Sequence, residues 1–190
     1  FYRNYRAARL DEGAVTIANT GTLDARVVVT AAGNPTAREG ELARGYAVER
    51  SYYRLDGTAV DPSTVRQNER LVTVLKVTED QARFARLLVV DHLPAGFEID
   101  NPNLVDASSA AALSWLQNTV EPAHVEYRDD RFVAAFDRDS GQSAFIVVAY
   151  MIRAVAPGRY VHPPAMAEDM YRPERFGRTG FGTVEVTEAK

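Results

Sequence analysis

The stretch "RLVTVLKVTE", residues 70–79, is apolar along most of its length. Leu71 and Leu75 alternate along it with Val72 and Val74, and only its ends and Lys76 carry charge. Successive side chains of a β-strand point to opposite faces of the sheet, so both faces of this run are apolar. A strand that is apolar on both faces is typical of the centre of a sheet. The run is therefore predicted to be a central strand.

Strand patterns continue on both sides of this run. Upstream, "YAVERSYYRLDGTAV" (46–60) alternates and then reaches Asp56-Gly57, a dipeptide that favours a hairpin turn. Downstream, "FARLLVVDHLPAGFEID" (84–100) reads as a strand that stops at Pro94, because proline cannot donate to a sheet ladder. The central run is thus predicted to lie among neighbouring strands.

The C-terminal half repeats the pattern. "AHVEYRDDRFVAAFDRDSG" (123–141) predicts two strands around a turn, "SAFIVVAYMIRAVAPG" (143–158) predicts a core strand, and "GTVEV" (182–186) predicts a closing strand. Only residues 107–118 favour a helix, which Trp115 is expected to anchor on the sheet. The spacing predicts an all-β antiparallel sandwich with one short helix.

The N-terminal residues are interpreted separately. "AVTIANTG" (14–21) and "DARVVVTAAG" (24–33) are predicted to form a hairpin. We divide the chain into residues 1–40, which are either the last strands of a preceding module or the first strands of this one, and residues 41–190, a sandwich domain. Because the chain opens on Phe1-Tyr2 without an initiator methionine, we interpret it as a piece of a longer protein.

Composition excludes several classes of partner. The chain has 190 residues with a net charge of −4, and its acidic and basic side chains are interspersed. Such a chain has no field that attracts a polyanion, so nucleic acid is not a predicted partner. No apolar run approaches the roughly 20 residues of a membrane span, so direct membrane insertion is not predicted. The absence of cysteine excludes disulfides and thiolate chemistry within the chain.

Catalytic patterns are nearly missing. The three histidines, His92, His124 and His162, have no metal-ligand spacing, and no phosphate-binding loop or nucleophile elbow is found. No metal, cofactor or enzymatic activity is therefore predicted. One enzymatic alternative stays open, in which His92 acts with Asp91 and Glu98 as an acid–base group.

The segment "AEDMYRPERFGRTG", residues 167–180, places an apolar pair, Met170 and Tyr171, among charged and turn-forming residues. Gly177 and Gly180 are expected to loosen the chain after the pair, so the segment is predicted to be a presented loop. The three arginines that recur at every third position, Arg172, Arg175 and Arg178, are interpreted as a solvated face. The alternative is that the pair packs into the edge of the sandwich.

Four stretches together carry a resemblance: "LLVVDHLPAGFEIDNPNL" (87–104), "VEYRDDRFVAAFD" (125–137), "YMIRAVAPGRYVHPPAMAEDMYRPERFGRTG" (150–180) and "GTVEV" (182–186). They resemble the C-terminal macroglobulin domain of bacterial alpha-2-macroglobulins, over about residues 41–190. The resemblance implies a macroglobulin-like, fibronectin-like sandwich. It also implies a parent that is tethered in the periplasm, in the cell envelope, and traps attacking proteases.

In such a parent, cleavage of a bait region exposes an internal thioester, made from a cysteine and a glutamine, which couples to the protease. Because this chain has no cysteine, the thioester must lie in another domain. The resemblance implies that this domain packs on the thioester domain and neighbouring modules and keeps water away. Met170 and Tyr171 match the family's locking pair, and target proteases are partners through the parent.

A different class of function also fits a β-sandwich of this size. The domain could be a surface adhesion or carbohydrate-binding module whose aromatic side chains form a sugar platform. That hypothesis predicts exposed aromatics clustered over a groove, whereas the shielding hypothesis predicts a Met-Tyr loop projecting from one end.

Overall fold

The computed structural model of the chain describes residues 16–30, 32, 37–100 and 115–189. The chain divides into two units, Phe1–Thr36 and Ala37–Lys190. The division at residue 40, with residues 1–40 as the last strands of a preceding module or the first strands of this one, stays a prediction.

Within the first unit, residues 16–30 form no strand, and the apolar side chains of Val27, Val28 and Val29 are exposed. The predicted N-terminal hairpin is therefore wrong for these residues. A strand forms only where a neighbouring strand satisfies its backbone N–H and C=O groups, and the apolar pattern does not supply that neighbour.

In the residues that the structure describes, the second unit consists of β-strands and their connections, in agreement with the predicted β-sandwich. Its strands are β1 (Leu42–Arg44), β2 (Tyr46–Tyr53), β3 (Ala59–Val60), β4 (Thr64–Arg66), β5 (Arg70–Glu79), β6 (Ala85–His92), β7 (Phe97–Asp100), β8 (His124–Tyr127), β9 (Arg131–Arg138), β10 (Phe145–Ala154), β11 (Gly158–His162), β12 (Ala165–Asp169), β13 (Arg172–Arg178) and β14 (Gly182–Thr187). They form three sheets, in the orders β1-β13-β12-β6-β9-β8, β3-β2-β5-β10-β7 and β11-β14-β4. The pairings are antiparallel except that of β14 with β4.

Strand β5 lies at the centre of the five-stranded sheet, between β2 and β10, which confirms the first prediction. Leu71, Leu75 and Val77 point into the main core, and Val72 and Val74 pack on the opposite face. The main core also receives apolar side chains from β6 and β9 of the six-stranded sheet and from β4 and β14. The architecture is thus a sandwich, and burial of these side chains is its main source of stability.

The outer face of the five-stranded sheet is covered around Trp115. Its ring lies 5.0 Å from that of Tyr53, which points away from the core that Tyr52 enters. The predicted helix at 107–118 falls mostly on residues 101–114, outside the described residues, and residues 115–118 are not helical. No helix in the described part of the chain is long and apolar enough to span a bilayer.

Two buried ion pairs join the large sheets. Arg50 of β2 donates to Asp91 of β6 at 2.5 Å, and the two side chains are 6% and 1% exposed. Tyr150 donates to the second Asp91 oxygen at 2.7 Å. Burial raises the pKa of the Asp91 carboxyl, and Arg50 and Tyr150 oppose that rise. The other pair, Arg138 to Glu79 at 2.7 Å, is equally enclosed.

Candidate functional site

Met170 and Tyr171 form the two-residue turn of the hairpin between β12 and β13. The two residues are 55% and 80% exposed. The pair therefore projects from the domain, as the shielding hypothesis expects, and is not packed into the edge of the sandwich. The predicted loop is shorter than expected, since residues 172–178 are a strand.

A buried carboxylate holds this turn. Asp169 is almost inaccessible to solvent, and its two oxygens accept hydrogen bonds from the Tyr171 backbone N–H at 3.0 Å and from Arg172 Nε at 2.7 Å. An aspartate that binds the backbone two residues ahead is a common way to fix a tight turn. Burial of the carboxylate with both partners in place makes the turn a defined structure.

The turn is also bound to the neighbouring strand β6. The Met170 N–H donates to the Arg86 carbonyl at 2.9 Å, and the Arg172 guanidinium donates to the Phe84 carbonyl. Since β12 pairs with β6 up to Asp169 opposite Leu87, the turn continues a ladder of backbone hydrogen bonds. Its position is therefore set by the sheet.

The three arginines of β13 are not a solvated face, so that prediction is wrong. Arg172 pairs with Asp169, Arg175 pairs with Asp80 at 2.7 Å, and Arg178 pairs with Glu39 at 2.6 Å. The Arg175 guanidinium also lies over the Tyr46 ring, 5.1 Å from its centroid. These contacts fix β13 to its surroundings along its length.

Gly177 does not loosen the chain either, because it lies within β13. A Cβ on this residue would stand 2.1 Å from the Tyr46 carbonyl oxygen, far inside van der Waals contact. Glycine is required there because the backbones of β13 and β2 approach closely. The close approach of β13 to β2 and the ion pairs of its arginines together hold the hairpin in place.

The enzymatic alternative is not assembled by the fold. Asp91 and His92 are neighbours in β6 and point to opposite faces, and Asp91 is engaged inside the sandwich by Arg50 and Tyr150. Glu98 lies on β7 and faces Arg153 at 3.6 Å. The described residues therefore do not bring His92 and the two carboxylates together.

The other histidines lie at strand ends and are engaged singly. His124 Nε2 lies 3.2 Å from Glu126, and the buried His162 Nε2 lies 2.6 Å from the Tyr52 hydroxyl. Burial, aided by the positive charge of Arg50, lowers the pKa of His162 to about 3. His162 is thus neutral at pH 7. Groups of side chains that could hold a metal ion are not found in the described part of the chain.

Known proteins are similar to this chain in sequence. The family model of the bacterial alpha-2-macroglobulin MG10 domain matches residues 45–174. An alpha-2-macroglobulin of Xylella fastidiosa is 38% identical over 150 residues, which cover 74% of this chain and 9% of that protein. The chain belongs to the bacterial alpha-2-macroglobulin family.

Solved structures of bacterial alpha-2-macroglobulins contain a domain with a similar fold. Escherichia coli alpha-2-macroglobulin activated by porcine elastase has a TM-score of 0.71 and 31% identity, over 81% of this chain and 14% of that one. Salmonella alpha-2-macroglobulin reacted with methylamine has a TM-score of 0.67 and 31% identity, over 82% of this chain and 10% of that one. The MG10 domain and its flanking residues thus span about a tenth of the length of these relatives.

The resemblance identified Met170 and Tyr171 but not the side chains that support them. Asp169 stood out only as a charged neighbour, although its alternation with Ala165 and Ala167 along β12 places it on their buried face. Phe84 carried no signal, because its position beside the turn depends on the pairing of β6 with β12.

Proposed function

We propose that this MG10 domain covers an internal thioester, located in another domain of a protease-trapping parent, with Met170 and Tyr171. The observation that carries the proposal is the exposed Met-Tyr pair, held at a fixed turn by the buried Asp169. As part of a larger alpha-2-macroglobulin chain, the domain packs with other domains of its parent. The proposal includes a cell-envelope location for that parent.

The chemistry of the pair suits a cover. A thioester survives only while water and amines are kept from its acyl carbon. A thioether adapts its shape to an apolar surface, and an aromatic ring closes a large area with few rotatable bonds. Because the chain has no cysteine, it contributes no thiol to the bond that it covers.

Rigidity of the turn also favours this role. Ordering a loose loop on binding costs free energy, whereas a turn that is already fixed loses little conformational entropy on docking. The Asp169 carboxylate and the Arg86 carbonyl provide that order before any partner is present. The Escherichia coli relative activated by elastase supports protease capture, and the Salmonella relative reacted with methylamine supports an amine-reactive group.

Tyr171→Ala in the uncleaved parent is expected to raise the rate of methylamine reaction by about ten- to a hundredfold, the scale of losing one buried aromatic anchor. Methylamine attacks the acyl carbon, an amide forms, and the cysteine sulfur leaves as a thiol. Titration of that thiol over time measures the rate, and no thiol arises from this domain.

Val161→Ala is the matched control, because Val161 is also an exposed apolar residue but lies on β11. It should leave the methylamine rate unchanged.

Within the chain itself, Tyr171→Ala should lower the free energy of unfolding in urea by about 1 kcal/mol or less. A strongly destabilised chain with an unchanged methylamine rate would make Tyr171 an ordinary structural residue and refute the proposal.

A further inference from the structure

Three exposed apolar residues lie at the same end of the strand pair formed by β6 and β12. Among the described residues of Ala37–Lys190, the most exposed large apolar side chains are Tyr171, Phe84 at 62% and Met170. We call these three residues the tip surface. Proteins rarely leave several large apolar side chains adjacent and exposed unless the patch makes a contact.

Backbone contacts make the three residues one unit. The Phe84 carbonyl accepts a hydrogen bond from Arg172, which follows the turn directly, and the Arg86 carbonyl accepts from the N–H of Met170. Phe84 immediately precedes β6, and the turn immediately follows β12, which pairs with β6. The Phe84 backbone therefore lies beside the turn that carries Tyr171.

The Phe84 ring is held in its exposed position. The Arg86 guanidinium lies over the ring, 4.6 Å from its centroid, and Arg86 Nε is itself 3.1 Å from a carboxylate oxygen of Asp137. A cation placed over an aromatic face is attracted to it. The contact covers one face of the ring and leaves the remainder free for an apolar partner.

We propose that Phe84 packs on the same thioester-bearing module as Met170 and Tyr171 and extends the water-excluding contact beyond the turn. This inference rests on the proposed function. Met170 and Tyr171 alone cover a small area, and water reaches a covered group at the edge of that area. A third side chain at the edge of the cover supplies contacts that add little binding energy but exclude water, as do those that surround the strongest residues of an interface.

The inference is tested in the uncleaved full-length parent with Phe84→Ala, Tyr171→Ala and the control Phe181→Ala. Phe181 is an exposed phenylalanine beyond Arg178, at the opposite end of β13 from the turn. Phe84→Ala is expected to speed the methylamine reaction about three- to tenfold, as for loss of a partly buried interface side chain. Phe181→Ala should react at the unsubstituted rate.

The outcomes separate the two proposals. If Tyr171→Ala speeds the reaction and Phe84→Ala matches Phe181→Ala, the inference about Phe84 is overturned and the proposed function stands. If none of the three variants changes the rate, both are overturned. If Phe84→Ala alone speeds it, Phe84 belongs to the cover and the assignment of Tyr171 fails.

A double variant tests whether Phe84 and Tyr171 act in one contact. Side chains that share an interface show non-additive effects, whereas distant ones add. The double variant, Phe84→Ala with Tyr171→Ala, should therefore react with methylamine more slowly than the product of the two single effects predicts. A fully multiplicative effect would contradict a shared contact. Unfolding of each variant chain in urea should stay close to that of the unsubstituted chain, because the removed atoms are exposed.

Discussion

Asp91→Ala is expected to lower the free energy of unfolding by about 3–5 kcal/mol, the usual cost of breaking a buried ion pair by removing one partner. The substitution leaves Arg50 charged inside the sandwich, with the Pro163 carbonyl as its remaining hydrogen-bond acceptor. It also removes the acceptor of the Tyr150 hydroxyl. Urea unfolding of the chain, followed by Trp115 fluorescence, measures the loss.

The exposed pair of Glu49 and Lys76 is the matched control, since Glu49 is the neighbour of Arg50 in β2. Glu49→Ala should cost less than about 1 kcal/mol, because exposed pairs are screened by water. Adding Arg50→Met to Asp91→Ala should recover part of the loss, because the unpaired charge is then gone. A loss below about 1 kcal/mol for Asp91→Ala would show that water reaches this pair.

Gly177→Ala is expected to cost about 2–4 kcal/mol, in the upper range for forcing an extra group into a packed site. Its Cβ would meet the Tyr46 carbonyl oxygen at 2.1 Å, and the obstacle is backbone, which cannot rotate aside as a side chain can. Strand β13 must therefore move away from β2. Urea unfolding measures this loss as well.

Gly180→Ala is the matched control for this substitution. A Cβ at Gly180 would lie 3.7 Å from its nearest neighbour, the Glu41 nitrogen, which is ordinary contact. Its cost should stay within about 0.5 kcal/mol, as at an unconstrained position. Equal stability of the two variants would contradict the close approach of β13 and β2.

Most strands of the second unit could be predicted from the sequence because alternation is a local signal. The hairpins at Asp56-Gly57 and around residues 128–131 and the central position of β5 are confirmed by the pairings. Strand β13 was missed because its arginines, Pro173 and Gly177 have a loop-like composition. Its strand conformation comes from pairing with β1 and β12, which no local pattern encodes.

The prediction of a hairpin in the first unit failed for the opposite reason. Val27, Val28 and Val29 have strong strand propensity, yet they are exposed and unpaired in the described structure of that unit. Propensity describes how well a residue fits a sheet that already exists. An apolar run alone therefore predicts a strand only where a partner strand is available.

The exposed residues of the candidate site could be predicted from the sequence, but the residues that hold them in place could not. Met170 and Tyr171 are notable against their charged neighbours, whereas the partners of the arginines, Asp80 and Glu39, are distant in sequence. The inward positions of Asp91 and Arg138 follow from the apolar alternation of β6 and β9, which places both on the buried face of their strands. Their partners on β2 and β5 required the three-dimensional fold.

We propose that Tyr171 lies against the thioester of the parent before activation. The direct test replaces Tyr171 by the photo-reactive p-benzoylphenylalanine in the uncleaved parent, with the same replacement at Val161 as control. After irradiation and digestion, mass spectrometry identifies the joined peptides. We expect the replacement at Tyr171 to join the peptide that contains the thioester cysteine and glutamine, and the replacement at Val161 not to do so. Joining of the Tyr171 position only to other peptides would contradict the claim.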